Sequence, residues 1–213
     1  MSVEVKICGL STKTDIDAAI DDGGDYVGLV FFEPSPRNLA LSDAAGLADH
    51  ARGRAKIVAL TVDADDSLIA AIDAAVTPDI YQLHGSETPD RVRHIGEATK
   101  KETMKVIKVA TAADAEAAFA YGAFSDRILF DAKAPPGSLL PGGNGLQFDW
   151  TALNSVNGRL DYMLSGGLTP ETVVEAVRLT GAKAVDVSSG VEFSPGKKDP
   201  ARIRAFLRAA KGL

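Results

Sequence analysis

Short apolar runs of strand length alternate along this chain with longer, Ala-rich and charged stretches of helical period. The strand-like runs fall at residues 3–7, 26–32, 55–62, 79–83, 104–109, 127–130, 162–165 and 184–187. Between them, TKTDIDAAIDD after Ser11, DAAGLADHAR after Ser42, ADDSLIAAIDAAV after Asp63 and AADAEAAFAYG after Thr111 each follow a side chain able to cap a first helical turn. Thr169-Pro170-Glu171 opens a further helix, with Pro170 where no amide donor is needed, and Gly181 is a natural left-handed stop behind it.

Repeated strand–helix units require parallel strands and right-handed crossovers, which leaves an open doubly wound sheet or a closed barrel. Eight units favour the barrel. The turn after the first run, Cys8-Gly9-Leu10-Ser11, also lacks the G-x-G-x-x-G of a dinucleotide-binding sheet. The expectation is therefore an α/β chain forming a single (β/α)8 TIM barrel domain over residues 1–213, with the helices outside. The Pro- and Gly-rich stretch 132–147 lies inside the strand–helix count and follows Asp131, so it reads as an active-site loop rather than a linker.

Composition narrows the function classes. With 46% hydrophobic and 24% charged residues the chain can bury a sizeable core. Lys plus Arg number 23 against 29 Asp plus Glu, a net charge of −6, and nucleic acid is not an expected partner because its binding needs a basic face. MSVEVKICGL does not read as a signal peptide, and no apolar run approaches the roughly 18 residues of a membrane span, so a soluble, cytoplasmic protein without a membrane partner is expected. One cysteine forms no intrachain disulfide, and three scattered histidines offer no metal-ligand spacing; no metal is expected.

In such a barrel the chemistry sits at the carboxyl ends of the strands. The first run ends in Lys6-Ile7-Cys8-Gly9, with Lys6 and Cys8 on one side, inward if Ile7 faces the helices. The fourth ends in Gln82-Leu83-His84-Gly85 and the sixth in Asp131. The seventh ends in Ser165-Gly166-Gly167, leading toward a helix start, and the eighth in Asp186-Val187-Ser188-Ser189-Gly190. Glycines let amide N–H groups approach an anion closely, and the loops after strands seven and eight are the usual phosphate site of phosphate-binding barrels. A phosphorylated small-molecule substrate is the expected partner, held around Gly166, Gly167, Ser189 and Gly190.

Taken together, KICGL at 6–10, SPR at 35–37, QLHG at 82–85, LFDAK at 129–133, GGNG-x-x-FDW ending at Trp150, LSGGL at 164–168 and AVDVSSGVE followed by PGKKD resemble the phosphoribosylanthranilate isomerase family of tryptophan biosynthesis. The resemblance covers nearly the whole chain. It implies an Amadori rearrangement of N-(5-phosphoribosyl)anthranilate to 1-(2-carboxyphenylamino)-1-deoxyribulose 5-phosphate with no cofactor, Cys8 as general base and Asp131 as general acid. It also implies Arg37 on the anthranilate carboxylate, as a planar bidentate donor, and a monomer or homodimer. Gln82, His84, Asp186 and Ser188 are expected to line the substrate pocket. Asn38 departs from an aromatic present in many relatives.

Such a pair sets opposite demands: the thiol should be lowered and the carboxyl raised from their ordinary values. Lys6 is the expected stabiliser of a thiolate, and Phe130 an apolar wall disfavouring the carboxylate. His50 and His94, on helical stretches, read as solvated, and Lys197-Lys198 as a charged surface pair. Two other classes remain. Lys6 or Lys108 suggests a Schiff-base lyase, and the phosphate glycines alone suggest a non-catalytic sugar-phosphate-binding barrel.

Overall fold

A computed structural model describes residues 3–135, 137–138, 142–143 and 145–212. Eight parallel strands close into a barrel in chain order: β1 (Glu4–Cys8), β2 (Tyr26–Phe31), β3 (Lys56–Thr61), β4 (Ile80–Leu83), β5 (Glu102–Val109), β6 (Arg127–Ala132), β7 (Tyr162–Leu164) and β8 (Ala184–Val187). Closure pairs β8 with β1 in a register that sets Lys6 opposite Asp186 and Ile7 opposite Val187.

Period-two alternation divides the side chains cleanly. Val5, Ile7, Val27 and Leu29 point outward into one large core shared with the helices. Inside, Tyr26, Val58, Ile80, Met104, Leu129 and Met163 fill the lower barrel, while Cys8, Val30 and Leu60 cluster near the top. Lys6, Gln82 and Asp186, all buried and polar, stand on the same inward-facing positions.

The lower rim is stitched by a recurring aspartate at the residue before an even-numbered strand. Asp25 accepts from the Val5 amide at 2.7 Å, Asp79 from Ile57 at 2.7 Å and Asp126 from Thr103 at 2.8 Å. Each carboxylate thus satisfies an amide near the start of the preceding strand, where the ladder has run out.

Seven α-helices surround the barrel: α1 (Lys13–Asp21), α2 (Leu41–Ala51), α3 (Asp66–Val76), α4 (Pro89–Thr99), α5 (Ala112–Glu116), α6 (Val173–Thr180) and α7 (Pro200–Lys211), among the described residues. Their starts differ in part from the sequence expectation. Thr12 rather than Ser11 caps α1, and Asp65 rather than Asp63 caps α3. Ser42 lies inside α2, which starts without a side-chain cap, and α6 begins only at Val173. Thr111 does cap α5, in a reciprocal box with Asp114, and Gly181 ends α6 at φ 65°. No α-helix joins β6 to β7 among the described residues; a 3-10 helix, Trp150–Ser155, takes that place. Between β8 and α7 the chain adds a small antiparallel hairpin, β9 (Glu192–Ser194) with β10 (Lys197–Lys198).

α7 closes the outer layer by packing on α1 and β1 beside the barrel seam, burying Ile203, Phe206, Leu207 and Ala210. Phe206→Ala is expected to cost about 3–5 kcal/mol, because the cavity adds to the lost transfer energy. Urea unfolding checks this: a midpoint at the parental value removes α7 from the seam's support.

Candidate active site

The inward positions at the strand ends converge. Cys8, Gln82, Asp131 and Asp186, with His84 and Ser165 just past β4 and β7, line one cleft with Arg37, Gly167, Ser188, Ser189 and Gly190. The cleft opens to solvent at the carboxyl ends of the strands, and its non-atom space, open solvent included, is about 770 Å³. Gly166 is not in the lining. It adopts φ 94°, and a Cβ there would come within 2.8 Å of the Ala132 nitrogen, so it packs the loop after β7 against the end of β6. Asn38, beyond Arg37, is exposed and also outside the lining, and Asn144 lies outside the described residues.

The β1–β8 register delivers the first ion pair: Lys6 Nζ donates to Asp186 Oδ1 at 2.9 Å, wholly buried, and Ser165 Oγ donates to Asp186 Oδ2 at 3.2 Å. Burial pulls the Lys6 ammonium down, but Asp186 and Cys8 outweigh it and hold the group above its ordinary value. That is the reverse of what a Schiff-base lysine needs. Room for this crowding comes from Gly28 on β2, where an added Cβ would lie 3.0 Å from Cys8 Sγ and 3.2 Å from Lys6 Nζ.

Cys8 corrects an expectation. Burial pushes its thiol up, and the ammonium groups of Lys6 and Lys198 recover only part of that, because Asp186 acts against them. The thiol is raised, not lowered. Phe130 is likewise not a wall for Asp131: alternation turns it outward, where its ring meets Tyr162 edge-on at 5.0 Å.

Lys198 is a second correction. The pair read from sequence as a charged surface feature divides, because alternation on β10 exposes Lys197 and buries Lys198. Lys198 Nζ donates to Ser188 O at 2.9 Å, Ser188 Oγ at 3.2 Å and Glu192 Oε1 at 2.7 Å. The available signal was the turn at Pro195-Gly196, which sets a hairpin and so an inward and an outward lysine. Glu192, missed altogether from sequence, also takes both Nε (2.7 Å) and Nη2 (2.8 Å) of the buried Arg37. With these cations beside it, the Glu192 carboxyl is held below its ordinary value despite burial. The bidentate edge of Arg37 expected to meet a ligand is therefore occupied from within, while Nη2 also reaches the Gly143 carbonyl at 3.3 Å.

On the opposite side, Asp131 Oδ1 accepts from the Ala132 amide at 2.9 Å, and its Oδ2 lies 3.2 Å from His84 Nε2. That second approach is too poorly aligned for a hydrogen bond, so the two groups are electrostatic neighbours. A Cβ on Gly142 would come within 2.6 Å of both side chains, so this part of the 132–147 loop rests directly on them. The other two histidines keep to the periphery: His50 bonds Asp17 at 2.8 Å and His94 is largely exposed.

The loops after β7 and β8 touch backbone to backbone. A Cβ on Gly190 would collide with the Leu168 carbonyl oxygen, and Gly167 at φ 65° is similarly hemmed by Leu146 and Gln147. The short 3-10 turn Ser189–Val191 opens on the cleft, not α6 as the sequence suggested. Among the described residues no cluster of His, Cys, Asp or Glu has the arrangement of a metal site, and no helix is long and apolar enough to cross a membrane.

Comparison with known proteins agrees across both sequence and fold. The family profile described as N-(5'phosphoribosyl)anthranilate (PRA) isomerase matches residues 5–209. An N-(5'-phosphoribosyl)anthranilate isomerase of Rhodopseudomonas palustris (strain BisA53) is 54% identical over 211 residues, 99% of this chain and 97% of that protein. The solved phosphoribosyl anthranilate isomerase of Thermotoga maritima superposes with a TM-score of 0.89 at 35% identity, covering 99% of this chain and all of that one. A phosphoribosyl anthranilate isomerase solved in complex with reduced 1-(o-carboxyphenylamino)-1-deoxyribulose 5-phosphate gives 0.86 at 34%, with the same coverage.

The strand end bearing His84 is held by a buried ion pair on the outer side of β5. Lys105 Nζ donates to Glu87 Oε2 at 2.6 Å and to the Gly85 carbonyl at 2.8 Å, while Glu87 Oε1 accepts from the amides of Asp63 and Gly85. Burial raises the Glu87 carboxyl, but Lys105 and then the backbone amides, that of Asp63 foremost, outweigh it and hold it below its ordinary value. Glu87→Gln should cost about 3–5 kcal/mol at pH 7 by leaving a buried ammonium unpaired. A lowered folded-state pKa means the stabilisation is complete above the unfolded value near 4.3 and is lost as pH falls through the folded one. Denaturant melts from pH 7 to 3 should thus show a shallower acid decline for the variant; parallel curves remove this pair from the acid response.

Proposed function

The chain belongs to the N-(5'-phosphoribosyl)anthranilate isomerase family of tryptophan biosynthesis, and on that premise we propose an Amadori rearrangement run by Cys8 and Asp131 without a cofactor. What supports the reading is that these two side chains, from opposite sides of a closed barrel, face one cleft. The substrate is N-(5'-phosphoribosyl)anthranilate, and the product is the 1-deoxyribulose 5-phosphate whose reduced form is named with the solved relative.

Protonated Asp131 gives its proton to the furanose ring oxygen, the C1′–O bond breaks, and the anthranilate nitrogen lone pair closes a Schiff base. The Cys8 thiolate then takes the C2′ proton, leaving an enolamine that tautomerises to the ketose. The two environments differ: Cys8 stands beside Lys6, whose ammonium offsets part of the burial that raises its thiol, whereas Asp131 meets His84 and the Ala132 amide. The phosphate lies against Gly167, Ser189 and Gly190, where glycines admit close backbone approach and Ser189 opens a 3-10 turn. Arg37 serves the anthranilate carboxylate through its outer Nη edge, the other edge being held by Glu192. His84 and Gln82, 3.4 Å apart, complete the wall.

The assay is loss of phosphoribosylanthranilate fluorescence on adding the purified chain. Cys8→Ala and Asp131→Asn should each lower kcat by about 10²–10⁴ with modest change in KM, since each acts chiefly in the transition state. Near-parental turnover in either variant sinks the two-residue mechanism. Arg37→Ala should raise KM for the substrate, while an analogue without the ring carboxylate is handled alike by parent and variant; equal losses with both compounds would give Arg37 a different role.

A further inference from the structure

Lys198 is a fully buried cation with no part in the proton transfers, held on a hairpin that the barrel itself does not require. Its three hydrogen bonds go to Glu192 and to both oxygens of Ser188, and Ser188 Oγ in turn donates to the Cys8 carbonyl at 3.1 Å. One side chain therefore links β10 to the end of β8 and, through it, to the mouth of β1. We propose that Lys198 is a positioning residue for Cys8: through Ser188 it fixes the backbone of that cysteine, and its ammonium makes a negative sulfur tolerable beside it.

The charges around Cys8 carry the point. On β1 and β8, Lys6 and Asp186 face the thiol and balance each other, one charge for one. From the hairpin and the loop after β2, Lys198 and Arg37 share the single carboxylate of Glu192. Asp131 and His84 face the same cleft from β6 and β4. Lys6, Lys198 and Arg37 against Asp186 and Glu192 leave one positive charge in excess on the Cys8 side of the cleft, which a thiolate would cancel. Both Lys6 and Lys198 pull the thiol toward ionisation against the burial that raises it, and Lys198 does so while sharing its carboxylate with Arg37. Buried at low dielectric, such a charge is screened far less than a surface lysine. Glu192, its counter-charge at 2.7 Å, moderates it.

The inference rests on Cys8 as the base, and the chain's single cysteine lets the two be tested apart. Iodoacetamide alkylation of Cys8, followed by intact mass across a pH series, reads the thiolate fraction directly. Lys198→Met should slow alkylation at pH 7 about tenfold, equivalent to a midpoint one pH unit higher. Lys198→Arg, which keeps the charge, should stay close to the parent. Glu192→Gln, which frees Lys198 of its counter-charge, should move the midpoint the other way. The ascending limb of the kcat/KM pH profile should follow each shift. Loss of packing alone moves Lys198→Met and Glu192→Gln in the same direction, so opposite signs support the proposal, and equal signs or unmoved midpoints overturn it. If Lys198→Met does not fold, Glu192→Gln decides: an acid shift supports, anything else overturns. Near-parental turnover of Cys8→Ala would instead remove Cys8 from the reaction and leave the thiol titration to judge Lys198.

Discussion

A lysine sealed from water is tolerable only beside a carboxylate, and Lys6 meets its own where the last strand of the barrel meets the first. Lys6 is 0% exposed, and its partner Asp186 comes from a strand 180 residues further along the chain. The mouth of the barrel is arranged upward from this seam. Two residues above Lys6 stands Cys8, two above Asp186 stands Ser188, and the side-chain-free Gly28 next door leaves the space that both Sγ and Nζ use. The seam settles geometry and charge together, because the same register that closes the sheet puts an ammonium under the Cys8 sulfur.

Around this seam the cleft is electrically divided. Lys6, Arg37 and Lys198 stand on the side formed by β1, the loop after β2 and the β9–β10 hairpin, each tied to a carboxylate. The side formed by β4 and β6 holds a histidine and an aspartate that approach without a well-aligned bond. Two ionisable groups in unlike surroundings are what an acid and a base sharing one cleft require.

Much of this was legible in the sequence because period-two alternation and strand count are strong signals. The eight apolar runs map onto β1 to β8, and the strand-end residues Cys8, Gln82, Asp131 and Asp186 all face the cleft as alternation required. Helix starts were less legible, since a run such as Ser11-Thr12 or Asp63 to Asp65 offers several capping side chains and only the turn geometry selects one. Nor does sequence state which charges meet. Glu192 and Lys198 sit six residues apart on a hairpin too short to give a period, and their importance comes from Arg37, 155 residues away from Glu192. The direction of the Cys8 shift was hidden for a related reason: it depends on how far burial outruns two ammonium groups, and burial is a property of the assembled barrel.

The aspartates on the lower rim bear on how such a barrel assembles. Asp25, Asp79 and Asp126 each tie a strand to its predecessor across only 20 to 23 residues, so each stitch closes a short loop at small entropic cost. The Lys6–Asp186 contact spans nearly the whole chain and can form only when every strand between is in place. Before closure the open seam leaves Lys6 to water, and closure exchanges that solvation for the carboxylate of Asp186. The polar seam is thus a contact of closure, made at a larger loop-entropy cost than any of the local stitches.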